Sequence, residues 1–255
     1  MKCGWRIALL PLIALLAWAA GSPAADFGTE RLVYEFGWQN ISAATATIAI
    51  DPATVAGVPG YKAVVQIQGK PKLDWIWRVR DKISVETTAD KLACQRFFFE
   101  QREASFFLDT EIRRDPTANL LIGSRTRIIK NTRKALSPKD APLDHYDPLS
   151  AILFLRRSPL SIGQQYNLKA FDGKRRHDLT YRVIGEERIK IGLGEFDTWK
   201  VQPRILRSTG NVQGSDVEKV RQLFLWVDKN PPHHVLRLES EAFVGHIYGE
   251  LVQKN

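Results

Sequence analysis

The chain has 255 residues, 44% of them hydrophobic, and its 37 Lys and Arg exceed its 28 Asp and Glu to give a formal net charge of +9. That length suffices for one large hydrophobic core. The charge excess is basic but modest, and no aromatic-basic stacking motif accompanies it, which argues against nucleic acid as a partner.

At the start of the chain, Lys2 and Arg6 form a short basic region, Ile7 to Ala20 form an apolar run broken only by Pro11, and Gly21, Ser22, Pro23, Ala24 and Ala25 are small. This order predicts a cleavable secretory signal peptide over residues 1–25, cut after Ala24 or Ala25. A retained membrane anchor fits less well, because the run falls short of the roughly 20 apolar residues that cross a bilayer. Cys3 precedes the apolar run, so it is not placed as the acylated cysteine of a bacterial lipoprotein. The expectation is a periplasmic protein without a stable membrane anchor, with residues 26–255 forming one β-rich domain. Cleavage removes Lys2 and Arg6 and no acidic residue, which lowers the net charge from +9 to +7. It also leaves Cys94 alone, so no intramolecular disulfide forms despite an oxidising compartment; such a thiol reads as a small buried hydrophobe.

From Arg31 onward the dominant signal is period-two alternation. Leu32, Tyr34, Phe36 and Trp38 alternate with Arg31, Val33, Glu35 and Gly37, and Tyr61, Ala63, Val65 and Ile67 alternate with Lys62, Val64, Gln66 and Gln68. Similar runs near 43–50, 82–87, 95–102, 105–113, 119–130, 165–171, 177–184, 187–192, 195–203, 220–228, 234–243 and 246–253 give about a dozen strands. The breaks between them, such as Asp115-Pro116, Asp172-Gly173 and Asn230-Pro231-Pro232, are too short for parallel crossovers, so the strands pair antiparallel. Two segments differ. Asp147-Pro148 is an N-cap followed by Pro at the first helical position, and Leu149, Ile152, Leu153 and Arg156 then follow helical spacing. With Ala151, Phe154 and Leu155 on its other sides, this helix is expected to be buried. Leu73 to Arg80, with Trp75, Ile76, Trp77 and Val79, fits a short helix or an edge strand, with helix preferred. Asn131 to Tyr146 and Ser208 to Asp216 read as connections. The fold class is therefore mainly β: a curved antiparallel sheet or partly open barrel plugged by one or two short helices.

Three stretches point to a family. Leu32-Val33-Tyr34-Glu35-Phe36-Gly37-Trp38 opens the chain's first strand; Asp147 to Arg156 is followed by Pro159-Leu160 and Gly163; and Gly194-Glu195-Phe196-Asp197-Thr198-Trp199-Lys200-Val201 comes later. Together with Leu225-Trp226-Val227-Asp228, Pro232 and Arg237, they resemble the domain-of-unknown-function 3108 family. The resemblance implies an exported envelope protein of Gram-negative bacteria. It also implies a curved-sheet, helix-plugged architecture like that of periplasmic lipoprotein carriers, which hold acyl chains between sheet and helix. It implies no catalytic set.

The residues themselves carry little enzyme chemistry. There is no G-x-S-x-G elbow, no phosphate-binding G-x-x-x-x-G-K-[ST] loop, no H-E-x-x-H helix and no paired C-x-x-C. His233 and His234 are adjacent on the chain and so point to opposite faces of a strand, a poor start for a metal site. His145 lies between Asp144 and Asp147, but helix capping accounts for Asp147. Asp109 and Glu111 share a strand face that is expected to meet water. No catalytic residue, metal or cofactor is expected.

Phe97, Phe98, Phe99, Phe106 and Phe107 make adjacent strands apolar on both faces, which requires cover from a helix, a partner or an apolar ligand. The leading expectation is a non-enzymatic periplasmic protein that binds a lipid or lipid-linked envelope component. Its cleft would be lined by Trp75, Trp77, Phe97, Phe99, Phe106, Leu153 and Phe154, with Arg125 and Arg127 as headgroup contacts. The basic cluster of Arg125, Arg127, Lys130, Arg133 and Lys134, and that of Lys174, Arg175 and Arg176, suit phospholipid, lipopolysaccharide or an acidic glycan. An envelope assembly factor docking a partner protein is the alternative. A glycan-acting hydrolase, resting only on His145, Asp144, His233 and His234, is the weaker one.

Overall fold

The structure is a computed structural model that describes residues 26–39, 41–76, 78–130, 132–208, 222–241 and 246–255. The proposed signal peptide and most of the Ser208–Asp216 connection lie outside them.

The alternation of the sequence becomes an alternation of burial along β1 (Glu30–Trp38), β2 (Ile41–Val55) and β3 (Val58–Gly69). Inward Leu32, Tyr34, Ala46, Ile50 and Ala63 are almost fully buried while their neighbours meet water. The meander continues through β4 (Arg80–Thr88), β5 (Cys94–Glu103), β6 (Phe106–Asp115), β7 (Leu120–Ile129) and β8 (Thr132–Pro142). One helix, α1 (Pro148–Arg157), leads to a second meander of β9 (Gln165–Phe171), β10 (Arg176–Ile191), β11 (Gly194–Arg207), β12 (Leu223–Asp228), β13 (Val235–Glu241) and β14 (His246–Lys254).

The two meanders make one antiparallel sheet of fourteen strands in the order β8-β7-β6-β5-β4-β3-β2-β1-β14-β13-β12-β11-β10-β9. The first and last strands meet in its middle, where Tyr34 faces Leu251 and Phe36 faces Gly249. The sheet curls until its edges nearly close into a barrel. Gly123 of β7 comes so near the β9–β10 turn that a Cβ there would lie 2.5 Å from the Gly173 carbonyl oxygen, and Gly173 itself has φ +81. Arg176 pairs with Asp140 at 2.5 Å, and Tyr146 bridges to Ala170 of β9.

Helix α1 lies against the inner face as the sequence anticipates. Leu149 and Leu153 join a core cluster with Leu32, Ala46, Ile50, Val65, Phe97 and Ile112. Ala151 and Leu155 join a second cluster with Leu168, Tyr181, Val201 and Val227. One helix thus serves both meanders with two stripes. Asp147 caps it by accepting from the Leu149 and Ser150 amides at 3.0 and 2.9 Å. Burial raises the pKa of this carboxyl, with the Cys94 thiol and the Ser150 hydroxyl among its neighbours.

Several expectations need correction. Among the described residues of 73–80 the expected helix is not found: a single 3-10 turn spans Pro71–Leu73, and β4 begins at Arg80. Most of 131–146 is strand β8, held as an edge by β7 although nearly all its side chains meet water. The runs at 177–184 and 187–192 form one strand, β10, carried past Gly185 by a bulge. Asp109 is buried between Arg102 and Arg133, at 2.5 and 2.6 Å, because the outer face of β6 is covered by long basic side chains. Helix α1 is not buried all round, since Ile152 is 42% exposed.

Asp147→Ala removes a cap and is expected to lower the unfolding free energy by about 0.5–2 kcal/mol in urea titrations. Asp147→Asn keeps an acceptor and is expected to lose less.

Candidate ligand cavity

Length mismatch creates the cavity. At about 1.5 Å per residue, the ten residues of α1 reach about 15 Å, whereas the fifteen residues of β2 reach about 50 Å. The helix therefore covers only one end of the inner face of β1–β3. Beyond it an apolar space opens in two adjoining stretches. The inner stretch, of 170 Å³, lies against α1 and is walled by Leu32, Ile48, Val65, Ile152, Leu153 and Arg156, among others. The outer stretch, of 420 Å³, runs to the far end of the sheet along Ala44, Gly69, Leu73, Ile76, Trp38 and Ile247. Phe36 and Ile67 line both.

The backbone shapes this space. Inward positions on β2 carry Ala44 and Ala46, which leave room opposite the larger Ile67 and Gly69 backbone of β3. At Gly249 a Cβ would meet the Phe36 ring at 2.6 Å, so only glycine lets that ring lie flat over β14. At the outer end, the segment between β3 and β4 folds over the opening, pinned by the Arg80–Asp74 ion pair at 2.6 Å.

Among the described residues one charged group enters the wall, at the closed end. The Arg156 guanidinium donates to both oxygens of Glu30 at 2.9 and 2.8 Å and stacks 4.9 Å over the Phe27 ring. His234 approaches Glu30 at 3.7 Å, but burial, reinforced by the charges of Arg156, Lys254 and His233, pushes its pKa down to about 3. Tyr34 donates to the Val235 carbonyl at 2.7 Å, and burial raises its pKa to about 12. These groups are structural: they tie α1, β1 and the β12–β13 turn together.

The expected site residues scatter. Leu153 lines the inner stretch. Phe154 turns to the other side of the helix, edge-on to Tyr146 and Tyr166. Phe97 is core, 3% exposed, and Phe99 packs half-buried against the same cluster. Phe106 lies under the Arg127 guanidinium at 5.4 Å. Arg125 and Arg127 are on β7, opposite Thr110 and Leu108, and line neither stretch. Trp75 stands 83% exposed beside Ile76 at the outer lip. Trp77 lies outside the described residues. Sequence reasoning missed Phe36, Ala44, Ala46, Ile67, Ile152 and Ile247; the usable signal was the pair of inward alanines on β2 and the shortness of the helix.

Enzyme-like groups do not converge. His145 is buried with its Nδ1 2.9 Å from Asp144, whereas His233 and His234 sit in the β12–β13 turn. Among the described residues, no group of three or more His, Cys, Asp or Glu is placed to hold a metal. The Cys94 thiol is buried, and burial followed by the nearby Asp147 carboxylate raises its pKa, which disfavours the reactive thiolate. A hollow of 830 Å³ at the opposite end of the sheet has Asp90, Lys91, Arg114 and Asp144 in its wall.

Comparison with known proteins adds the following. The family described as "Protein of unknown function (DUF3108)" matches residues 32–252. No curated protein matches the chain. Among solved structures, a β-barrel-like protein of domain of unknown function DUF1849 from Brucella abortus aligns with a TM-score of 0.57 at 13% identity, covering 91% of this chain and 99% of that one. At that identity the likeness is one of fold. An exported protein with a YmcC-like fold, so described as a candidate, from Bacteroides fragilis aligns at 0.35 with 11% identity, over 91% of this chain and 100% of that one. A candidate lipoprotein from Parabacteroides distasonis aligns at 0.36 with 11% identity, over 92% and 100%. Among the described residues no helix is long and apolar enough to cross a membrane.

The depressed pKa of His234 sets a pH dependence. The unfolded chain takes up this proton below the ordinary value of 6.5 and the folded protein only near 3, so stability is expected to fall as pH drops through that window. His234→Gln should flatten that part of the decline in denaturation curves collected from pH 7 to pH 4; an unchanged slope would show that His234 titrates normally in the fold.

Proposed function

The chain belongs to the DUF3108 family, and from that premise we propose that it is an exported, periplasmic, non-enzymatic protein that holds the acyl part of a lipid or lipid-linked envelope component between α1 and β1–β3. The observation that carries this reading is the apolar channel. Ile152 is 42% exposed on a helix whose neighbours are core, and it faces a space walled by Ile48, Val65 and Leu153. Apolar surface left facing water forgoes roughly 25 cal/mol per Å², a cost that an apolar guest removes. The outer stretch, of 420 Å³, falls within the about 300–1,000 Å³ of small-ligand sites, and the adjoining inner stretch adds 170 Å³ to it. The cationic side chains of β7 and β8 are compatible with lipopolysaccharide or acidic-glycan headgroups as well as phospholipid.

Native mass spectrometry of the protein released from the periplasm without detergent is expected to show adducts of lipid mass. Ile152→Trp, which puts a larger ring into the channel from an already exposed position, should reduce the adduct by about tenfold with little change in thermal stability. Bare polypeptide mass for the unaltered protein would contradict the reading.

A second reading, an envelope assembly factor, is favoured by one feature, the exposed edge of β8. Its outer backbone groups could receive a partner's strand. Crosslinks formed in intact cells from β8, and lost when Pro replaces Ala135, would support it.

A further inference from the structure

We propose that the open end of the sheet docks on an anionic phospholipid bilayer, with the lip of the cavity facing the lipid. In an antiparallel meander successive connections alternate between ends, so the β1–β2, β3–β4, β5–β6 and β7–β8 connections share one end, the end at which the outer stretch of the cavity opens. Large apolar side chains crowd there while exposed to water: Trp75 at 83%, Ile76 at 63%, Ile41 at 49%, Ile129 at 48% and Trp38 at 40%. Aromatic and aliphatic side chains at loop tips suit the boundary between headgroups and acyl chains.

Charge selects the surface. Arg127 and Lys134 sit directly opposite one another on β7 and β8, and Arg125 shares their face. None of the three has a carboxylate partner among the described residues. Like charges opposed across a strand pair repel, and an anionic surface relieves that repulsion. Of the acidic side chains near this end, Asp74 pairs with Arg80, Glu35 with Lys70, and Asp109 with Arg102 and Arg133, while Glu103 accepts from the Gln101 side-chain amide at 2.8 Å. Exposed Lys72, Arg78 and Lys130 add further positive charge at the connections. Lipid bound in this way would enter beside Ile76, which belongs both to the lip and to the cavity wall. That last step rests on the function proposed above; the docking itself does not.

The test is flotation of the mature protein with vesicles of phosphatidylcholine alone and of phosphatidylcholine and phosphatidylglycerol in equal parts. Binding is expected to the mixed vesicles only, and to weaken as salt is raised. Arg127→Ser and Lys134→Ser should each weaken it by roughly fivefold, the increment of one basic residue near an anionic surface. Trp75→Ser should weaken it too. Circular dichroism and displacement of a fluorescent fatty acid, measured on the same variants in free solution, should be unchanged because these side chains line neither stretch of the cavity. Equal binding to both vesicle types, no binding, or indifference to all three substitutions would overturn the proposal. Vesicle binding without fatty-acid uptake would instead overturn the carrier reading and leave the docking intact. Loss of protein crosslinks in cells with vesicle binding unaltered would reassign the surface to a protein partner.

Discussion

The ion pair of Arg156 with Glu30 joins the only helix among the described residues to the first strand of the sheet, at the point where both meanders converge. Both side chains are nearly excluded from water, and a buried charge deprived of its partner costs roughly 3–5 kcal/mol. Phe27 stacks beneath the guanidinium and packs edge-on to Tyr61, so the pair also fixes the segment leading into β1. The helix it holds touches both core clusters, through Leu149 and Leu153 on one side and Ala151 and Leu155 on the other. The helix thus reinforces the joining of two curved halves of one sheet that also meet at the β1–β14 seam, at the near-closure of Gly123 and Gly173, and in the first core cluster.

A helix held at one end of long strands leaves the other end uncovered. The inner face there is as apolar as the covered part, because the alternation of β1 and β2 runs on through Phe36, Trp38 and Ala44 past the reach of α1. A fold concerned only with stability would fill this space with larger side chains, since interiors pack densely. Here Ala44, Ala46, Gly69 and Gly249 keep it open. Closed end and open end differ in chemistry: buried, mutually paired ions at one, exposed aromatic and basic side chains at the other. On the proposed reading, that polarity connects the cavity to a route of entry.

The fold was legible where a physical rule has one solution. Strict alternation over Leu32–Trp38 and Tyr61–Ile67 admits only strands with one buried face, and Asp147-Pro148 ahead of helical spacing admits only a capped helix. Family membership followed from the order of those same elements. It was illegible where tertiary pairing overrides composition: Thr132–Pro142 is rich in Lys, Asp and Pro, yet β7 recruits it as a strand. The cavity was half legible. The sequence marks which residues are apolar but not where the cover stops, so the Phe97–Phe99 cluster, densest in aromatics, drew attention although Val85, Ile112 and Leu121 already bury it. β2, which has no aromatic residue and whose alanines make the space, carried no comparable signal.

The central claim is that the uncovered inner face between α1 and β1–β3 receives an acyl chain. The most direct measurement is paramagnetic broadening of backbone amide signals in the isotope-labelled mature protein on adding a fatty acid spin-labelled near its methyl end. The account expects the strongest broadening at Ala46, Ile48, Ile67 and Leu153, all in the cavity wall. Broadening confined to β6–β8, or spread evenly over the exposed surface, would contradict it.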